Sequence, residues 1–96
     1  MAQFENKYDL EDRTSKFSGE LIIFCKSCPK DCITLPLINQ LIRAGTSIGA
    51  NYREANRARS KADFKSKIKI CESEASEACY WLEIIQVLDW VENKEL

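Results

Sequence analysis

Apolar positions recur along this chain at helical spacing in three runs. In the first, Leu10, Phe17, Leu21, Phe24 and Cys28 follow one another at intervals of seven, four, three and four residues. That is one stripe on an α-helix. Asp9 is suited to cap its start, with Asp12 near the positive end of the helix dipole. Pro29 ends it, because the residue before a proline disfavours the helical region. The polar residues ahead of Asp9 are expected to fray. Gly19 lies inside the run and costs about 1 kcal/mol relative to alanine.

After a loop over residues 29–34 (PKDCIT), Thr34 is suited to cap a second helix, with Pro36 tolerated in its first turn. Ile38, Leu41, Gly45, Ile48, Tyr52 and Ala55 continue at intervals of three or four. Gly45 and Gly49 share a face and together cost about 2 kcal/mol of helix propensity. Close approach of a neighbouring helix, backbone against backbone, is the expected offset; the alternative is a local kink. This helix ends near Arg57 to Arg59.

Ser60-Lys61-Ala62-Asp63 resembles a capping box, with aspartate in place of glutamate. From there Phe64, Ile68, Cys71, Ala75, Ala78, Leu82 and Ile85 alternate by four and three through three heptads. Ile70, Tyr80, Trp81, Ile84 and Val87 add a second apolar flank. One helix partner does not cover both flanks. The third helix is therefore expected between neighbours, in a bundle or at a subunit interface. A break is expected near Asp89. The pattern predicts helices over about 9–28, 35–58 and 61–88 in a single domain, 1–96. Ile48, Tyr52 and Phe64 are placed in its core.

Composition supports this. Glycine and proline number three and two, too few for the turns of a many-stranded sheet. Apolar residues make up 45% and charged residues 30%, a globular balance. A chain of 96 residues buries a small core, and oligomerisation is a common remedy. There is no secretory signal and no run near the roughly 20 apolar residues that span a bilayer. Five cysteines without a signal suggest reduced thiols, hence a cytoplasmic location and no membrane partner.

The net charge is −1, but it is unevenly spread. Residues 53–69 hold seven basic and two acidic side chains; residues 72–96 hold seven acidic and one basic. Arg43, Arg53 and Arg57 share one side of the second helix. Lys61, Lys65 and Lys69 recur every four residues on the third, and the two stripes meet near Arg59. Such a patch suits phosphates, with salt-dependent affinity. The alternative is an ordinary solvated face. No aromatic interleaves with the charges, so base stacking is not expected.

Nothing in the sequence makes a catalyst. There is no histidine, which removes the usual proton shuttle and the Ser-His and Cys-His nucleophiles. There is no glycine-rich phosphate loop, and no cofactor is expected. Glu72, Glu74 and Glu77 read as a solvated helix face rather than a metal site. Cys25, Cys28 and Cys32, with Cys71 or Cys79 as a fourth thiolate, have the makings of a zinc site. Small buried residues are the commoner use of cysteine.

Three segments in order resemble a known family: Leu41 to Ala55 (LIRAGTSIGANYREA), Arg59 to Phe64 (RSKADF) and Glu74 to Leu82 (EASEACYWL). They are similar to the four-helix-bundle proteins encoded by intervening sequences in bacterial 23S rRNA genes. A related branch is the accessory variability determinant of diversity-generating retroelements. The likeness spans roughly residues 8–90. It implies an all-α antiparallel up-down bundle of the four-helix type, often a homopentamer, with no enzyme activity. In the retroelement branch it implies binding of nucleic acid and of a reverse transcriptase through a basic surface. Arg43, Arg53 and Arg59 fall where the family pattern is often basic. The family's fourth helix would have barely begun at Leu96, so the chain is expected to expose an apolar groove near Leu21, Leu82 and Ile85 and to self-associate. Two functions follow as expectations. One is an oligomeric scaffold binding RNA or DNA through Arg43, Arg53, Arg57, Arg59, Lys61, Lys65 and Lys69. The other is a protein-interaction scaffold whose basic surface is incidental.

Overall fold

A computed structural model describes the backbone of residues 2–94 and the side chains of residues 9–89. It is all helical: α1 (Ala2–Ser27), α2 (Thr34–Asn56) and α3 (Lys61–Lys94). No strand and no fourth helix occur among the described residues. At about 1.5 Å per residue, the 34 residues of α3 span about 51 Å, which sets the 53 Å long axis of the molecule.

The helix boundaries differ from expectation at three places. α1 begins at Ala2 rather than at Asp9, so Asp9 is an interior residue, ion-paired with Arg13 one turn on at 3.5 Å. α3 runs through Asp89 without a break. α2 is capped by Asp31 and not by Thr34. Asp31 Oδ1 accepts the backbone N–H groups of Ile33 and Thr34, both at 2.8 Å, and these bonds hold its carboxyl below the usual aspartate range. The Thr34 hydroxyl turns back instead and accepts the Asp31 N–H at 3.0 Å. At α3 the Ser60 hydroxyl accepts the Asp63 N–H at 3.0 Å, the capping bond that the sequence anticipates.

Cross-helix pairs fix the directions. Glu11 meets Asn56, Thr14 lies against Gly49 and Leu21 against Gly45; early residues of α1 face late residues of α2. Arg43 meets Glu74 and Lys67 meets Glu54. Successive helices are therefore antiparallel. α2 lies in the middle, and no Cα of α1 comes within 8 Å of one in α3.

The glycines of α2 seat α1. A Cβ on Gly45 would overlap Leu21 Cδ2, and one on Gly49 would lie 2.9 Å from Thr14 Oγ1. α2 is helical through both positions, so close packing holds and no kink is needed. The core gathers Leu21 and Cys25 of α1, Ile38, Leu41 and Ala44 of α2, and Ala78 of α3. Half-buried Ile42, Ile48, Trp81, Leu82 and Ile85 pack against it. Leu41, at 0% exposure, is its best-covered side chain.

Within one chain α2, rather than α3, sits between two helices, and α3 packs on α2 alone; the second flank of α3 is left to the subunit-interface form of the expectation. Tyr52 is half-buried. Phe64, placed in the core by its spacing, is 41% exposed. It stands in the first turn of α3, and no Cα of α1 comes within 8 Å of α3 among the described residues. Tyr80, Val87 and Leu88 are uncovered further along the same helix.

Candidate nucleic-acid interface

The seven basic residues singled out from sequence divide into two sets. Arg43 donates to both Glu74 oxygens, the nearer at 3.2 Å, and to Glu77 Oε2, while Gln40 supports its Nε at 3.1 Å. Glu77 also accepts the Trp81 indole N–H at 3.0 Å. That bond, with those from Arg43, holds the Glu77 carboxyl below the ordinary glutamate range, and Glu77 in turn pushes the Arg43 guanidinium further up. Arg43 is thus a strut between α2 and α3.

Arg53 is a strut between α2 and α1. It lies 3.6 Å from Glu11 and donates to the Ser15 hydroxyl at 3.0 Å. Glu11, 9% exposed, also accepts from Asn56 at 2.8 Å. The sequence pattern gave no role to Glu11, because a carboxylate on the edge of an apolar stripe reads as solvated until its partner 42 residues away is known. A third strut joins Lys67 to Glu54 at 2.7 Å, and raises the Lys67 ammonium above its usual value.

Arg57, Arg59, Lys61, Lys65 and Lys69 form the second set. All are exposed and lie around the turn from α2 to α3. The Arg57 side chain bonds its own helix end, donating to Arg53 O at 3.0 Å. Arg59, Lys61, Lys65 and Lys69 have no ion-pair partner among the described residues. The structure therefore leaves five of the seven exposed from the end of α2 through the first turns of α3 and places Arg43 and Arg53 in other work.

A model of the 23S rRNA-intervening sequence proteins matches residues 6–96. The chain belongs to that family. No curated protein and no solved structure matches it. In this intervening-sequence protein the family-like segments contribute chiefly to packing: Gly45 and Gly49 seat α1, Arg43 meets Glu74 and Glu77, and Trp81 bonds Glu77.

The other candidate chemistries are not assembled. Among the described residues no three cysteine, aspartate or glutamate side chains gather as metal ligands. Cys25 is buried, Cys28 and Cys71 are half-buried, and Cys32 and Cys79 are exposed; all five thiols are free. Burial pushes the Cys25 and Cys71 thiols up, away from the reactive thiolate. A cleft of about 360 Å³ opens between the end of α1 and the later part of α3, lined by Phe24, Cys28, Pro29, Ile38, Ile85 and Leu88 among others. Among the described residues no helix is long and apolar enough to cross a membrane.

Proposed function

We propose that the protein is a non-enzymatic, self-associating cytoplasmic scaffold that holds RNA or DNA on the α2–α3 corner. The supporting observation is the partition of charge. Several acids near the basic segment are engaged: Glu11 with Arg53, Glu54 with Lys67, and Glu74 and Glu77 with Arg43; Asp63 stands within the segment and acts on Lys67. Arg59, Lys61, Lys65 and Lys69 are left exposed and unpaired among the described residues, with Arg57 beside them. Lys61, Lys65 and Lys69 recur each helical turn, about 6 Å apart along a rigid axis. A row of ammonium groups on a fixed helix suits a phosphate backbone, and several copies multiply weak contacts.

The test is binding as a function of salt. Four phosphate contacts lower affinity by roughly 50- to 150-fold between about 50 and 200 mM salt. Lys61→Glu with Lys65→Glu abolishes binding and leaves the helical content intact. Arg43→Gln weakens the fold but not the binding of the molecules that remain folded. Undetectable binding at about 50 mM salt, or indifference to Lys65→Glu, refutes the proposal.

A second reading is supported by a different observation. Leu10, Phe17 and Phe24 recur every seventh residue on α1 and are exposed, and Tyr80 and Val87 are exposed on α3. A protein-assembly scaffold uses these surfaces and needs no nucleic acid. Salt-independent self-association without binding to any nucleic acid would favour it.

A further inference from the structure

The expectation that no aromatic interleaves with the charges fails at Phe64, which lies between Lys61 and Lys65. An apolar ring that opens a helical seam is expected in a core, yet Phe64 is 41% exposed. Its backbone is fixed: the Phe64 N–H bonds Ser60 O at 2.9 Å, in the turn closed by the Ser60 cap. Lys61 lies three residues before it and Lys67 three after, so these two are its neighbours on the helix surface, with Lys65 next to it in the chain. Arg57 and Arg59 precede it in the turn, and Arg57, Arg59, Lys61 and Lys65 are exposed. Lys67 is paired with Glu54 at 2.7 Å.

An exposed aromatic ring among cations that can hold a phosphate backbone is the arrangement that captures an unpaired base. The bases of a duplex are stacked on one another and present only their edges and backbone, so a ring gains nothing from them. A single strand offers the face of a base while its phosphates are held alongside. The ring also fixes the position of the strand, since Lys61 and Lys65 flank it on a rigid helix.

Resting on the nucleic-acid function proposed above, we infer that Phe64 is a stacking platform and that the corner selects single-stranded over duplex nucleic acid. Selection is for unpaired bases, without a sequence code, because every base has a π-face.

The experiment is fluorescence anisotropy on the whole chain with labelled single-stranded RNA, single-stranded DNA and the matching RNA duplex, each of about 12 nucleotides. Phe64→Ala and Phe64→Leu are compared with the native protein. Leucine keeps an apolar side chain at the site and lacks the flat ring, so it separates stacking from packing. Both single strands bind more tightly than the duplex. Phe64→Ala weakens single-strand binding by about 5- to 150-fold, Phe64→Leu by nearly as much, and neither changes the duplex. Circular dichroism and sedimentation show both variants folded and assembled as the native protein is. Equal affinity for strand and duplex with no effect of Phe64→Ala overturns the stacking role and leaves the electrostatic corner standing. A loss of self-association in Phe64→Leu at unchanged strand affinity also overturns it, making Phe64 an interface residue. Failure of all three probes to bind at about 50 mM salt removes both proposals together.

Discussion

Replacing each glycine in turn by alanine separates the backbone contact between α1 and α2 from helix propensity. All three glycines are helical, so each substitution brings the same gain of about 1 kcal/mol from backbone entropy. Their surroundings differ. Around Gly19 a Cβ meets nothing within 4 Å, so the gain stands alone. At Gly49 a Cβ lies 2.9 Å from Thr14 Oγ1 and 3.1 Å from Thr14 Cβ. Thr14 is branched at Cβ and stiff, and its hydroxyl donates to Leu10 O at 2.8 Å and Glu11 O at 3.1 Å. It does not swing aside without losing those bonds, so α1 must lift away from α2. Overpacking of this kind costs about 1–3 kcal/mol, which cancels the gain or reverses it by up to about 2 kcal/mol. At Gly45 the obstacle is the end of the Leu21 side chain, which is flexible but packed in the core at 5% exposure. Gly45→Ala falls between the other two.

The assay is urea unfolding followed by circular dichroism at one fixed protein concentration, since the proposed self-association would add to apparent stability. Gly19→Ala raises the midpoint and, in a thermal scan, the Tm by about 4–8 °C. Gly49→Ala lowers both or leaves them unchanged, with the denaturant slope preserved. If Gly49→Ala stabilises as much as Gly19→Ala, the two backbones do not approach each other there, and the seating of α1 on α2 is wrong.

Two further outcomes follow from the struts. The Glu77 carboxyl is held low by Trp81 and Arg43, so its stabilisation is fully present above the ordinary glutamate pKa of about 4.3 and is lost as pH falls through its lower folded value. In a Trp90→Phe background, Trp81 fluorescence titrates below that pH, and Glu77→Gln removes the step; an unchanged titration refutes the pairing. Glu11→Ala leaves the Asn56 amide and the Arg53 guanidinium without their shared acceptor, and lowers stability by about 1–3 kcal/mol in the same urea assay. A loss below about 0.5 kcal/mol would make Glu11 an ordinary surface residue.

The three helices and their order were legible because four-three spacing survives wherever a helix has one buried face. The close approach at Gly45 and Gly49 was legible too, since two glycines in a helix demand a compensation. What could not be read was which helix sits in the middle. α3 carries two apolar flanks and α2 one, so the pattern favours α3. The glycines decide otherwise, because they let α1 reach α2 alone. Phe64 follows from the same error. Its seam spacing is real, but burial needs a second wall, and α1 is not beside α3 to supply it. The caps illustrate a local version: Asp31 and Thr34 both stand near the start of α2, and only geometry shows which oxygen reaches the free N–H groups.

The charges carry the same lesson into function. By sequence, Arg43 and Arg53 lie on a stripe with Arg57 and look equivalent to it. What separates them is the position of carboxylates on other helices, with Glu74 and Glu77 one turn apart on α3 and Glu11 on α1. A guanidinium that meets two carboxylates is neutralised on the spot and adds little to the field felt by a distant phosphate. The proposed anion-binding surface is therefore the part of the basic segment whose cations are not ion-paired among the described residues. That part is the corner after Asn56. There α2 has ended and α3 has begun, Glu54 is held by Lys67, and exposed Arg57, Arg59, Lys61 and Lys65 stand near the exposed Phe64 in the chain. The packing that leaves Phe64 exposed and the pairing that leaves Arg59, Lys61, Lys65 and Lys69 without ion-pair partners among the described residues come together there, and the proposed binding surface rests on both.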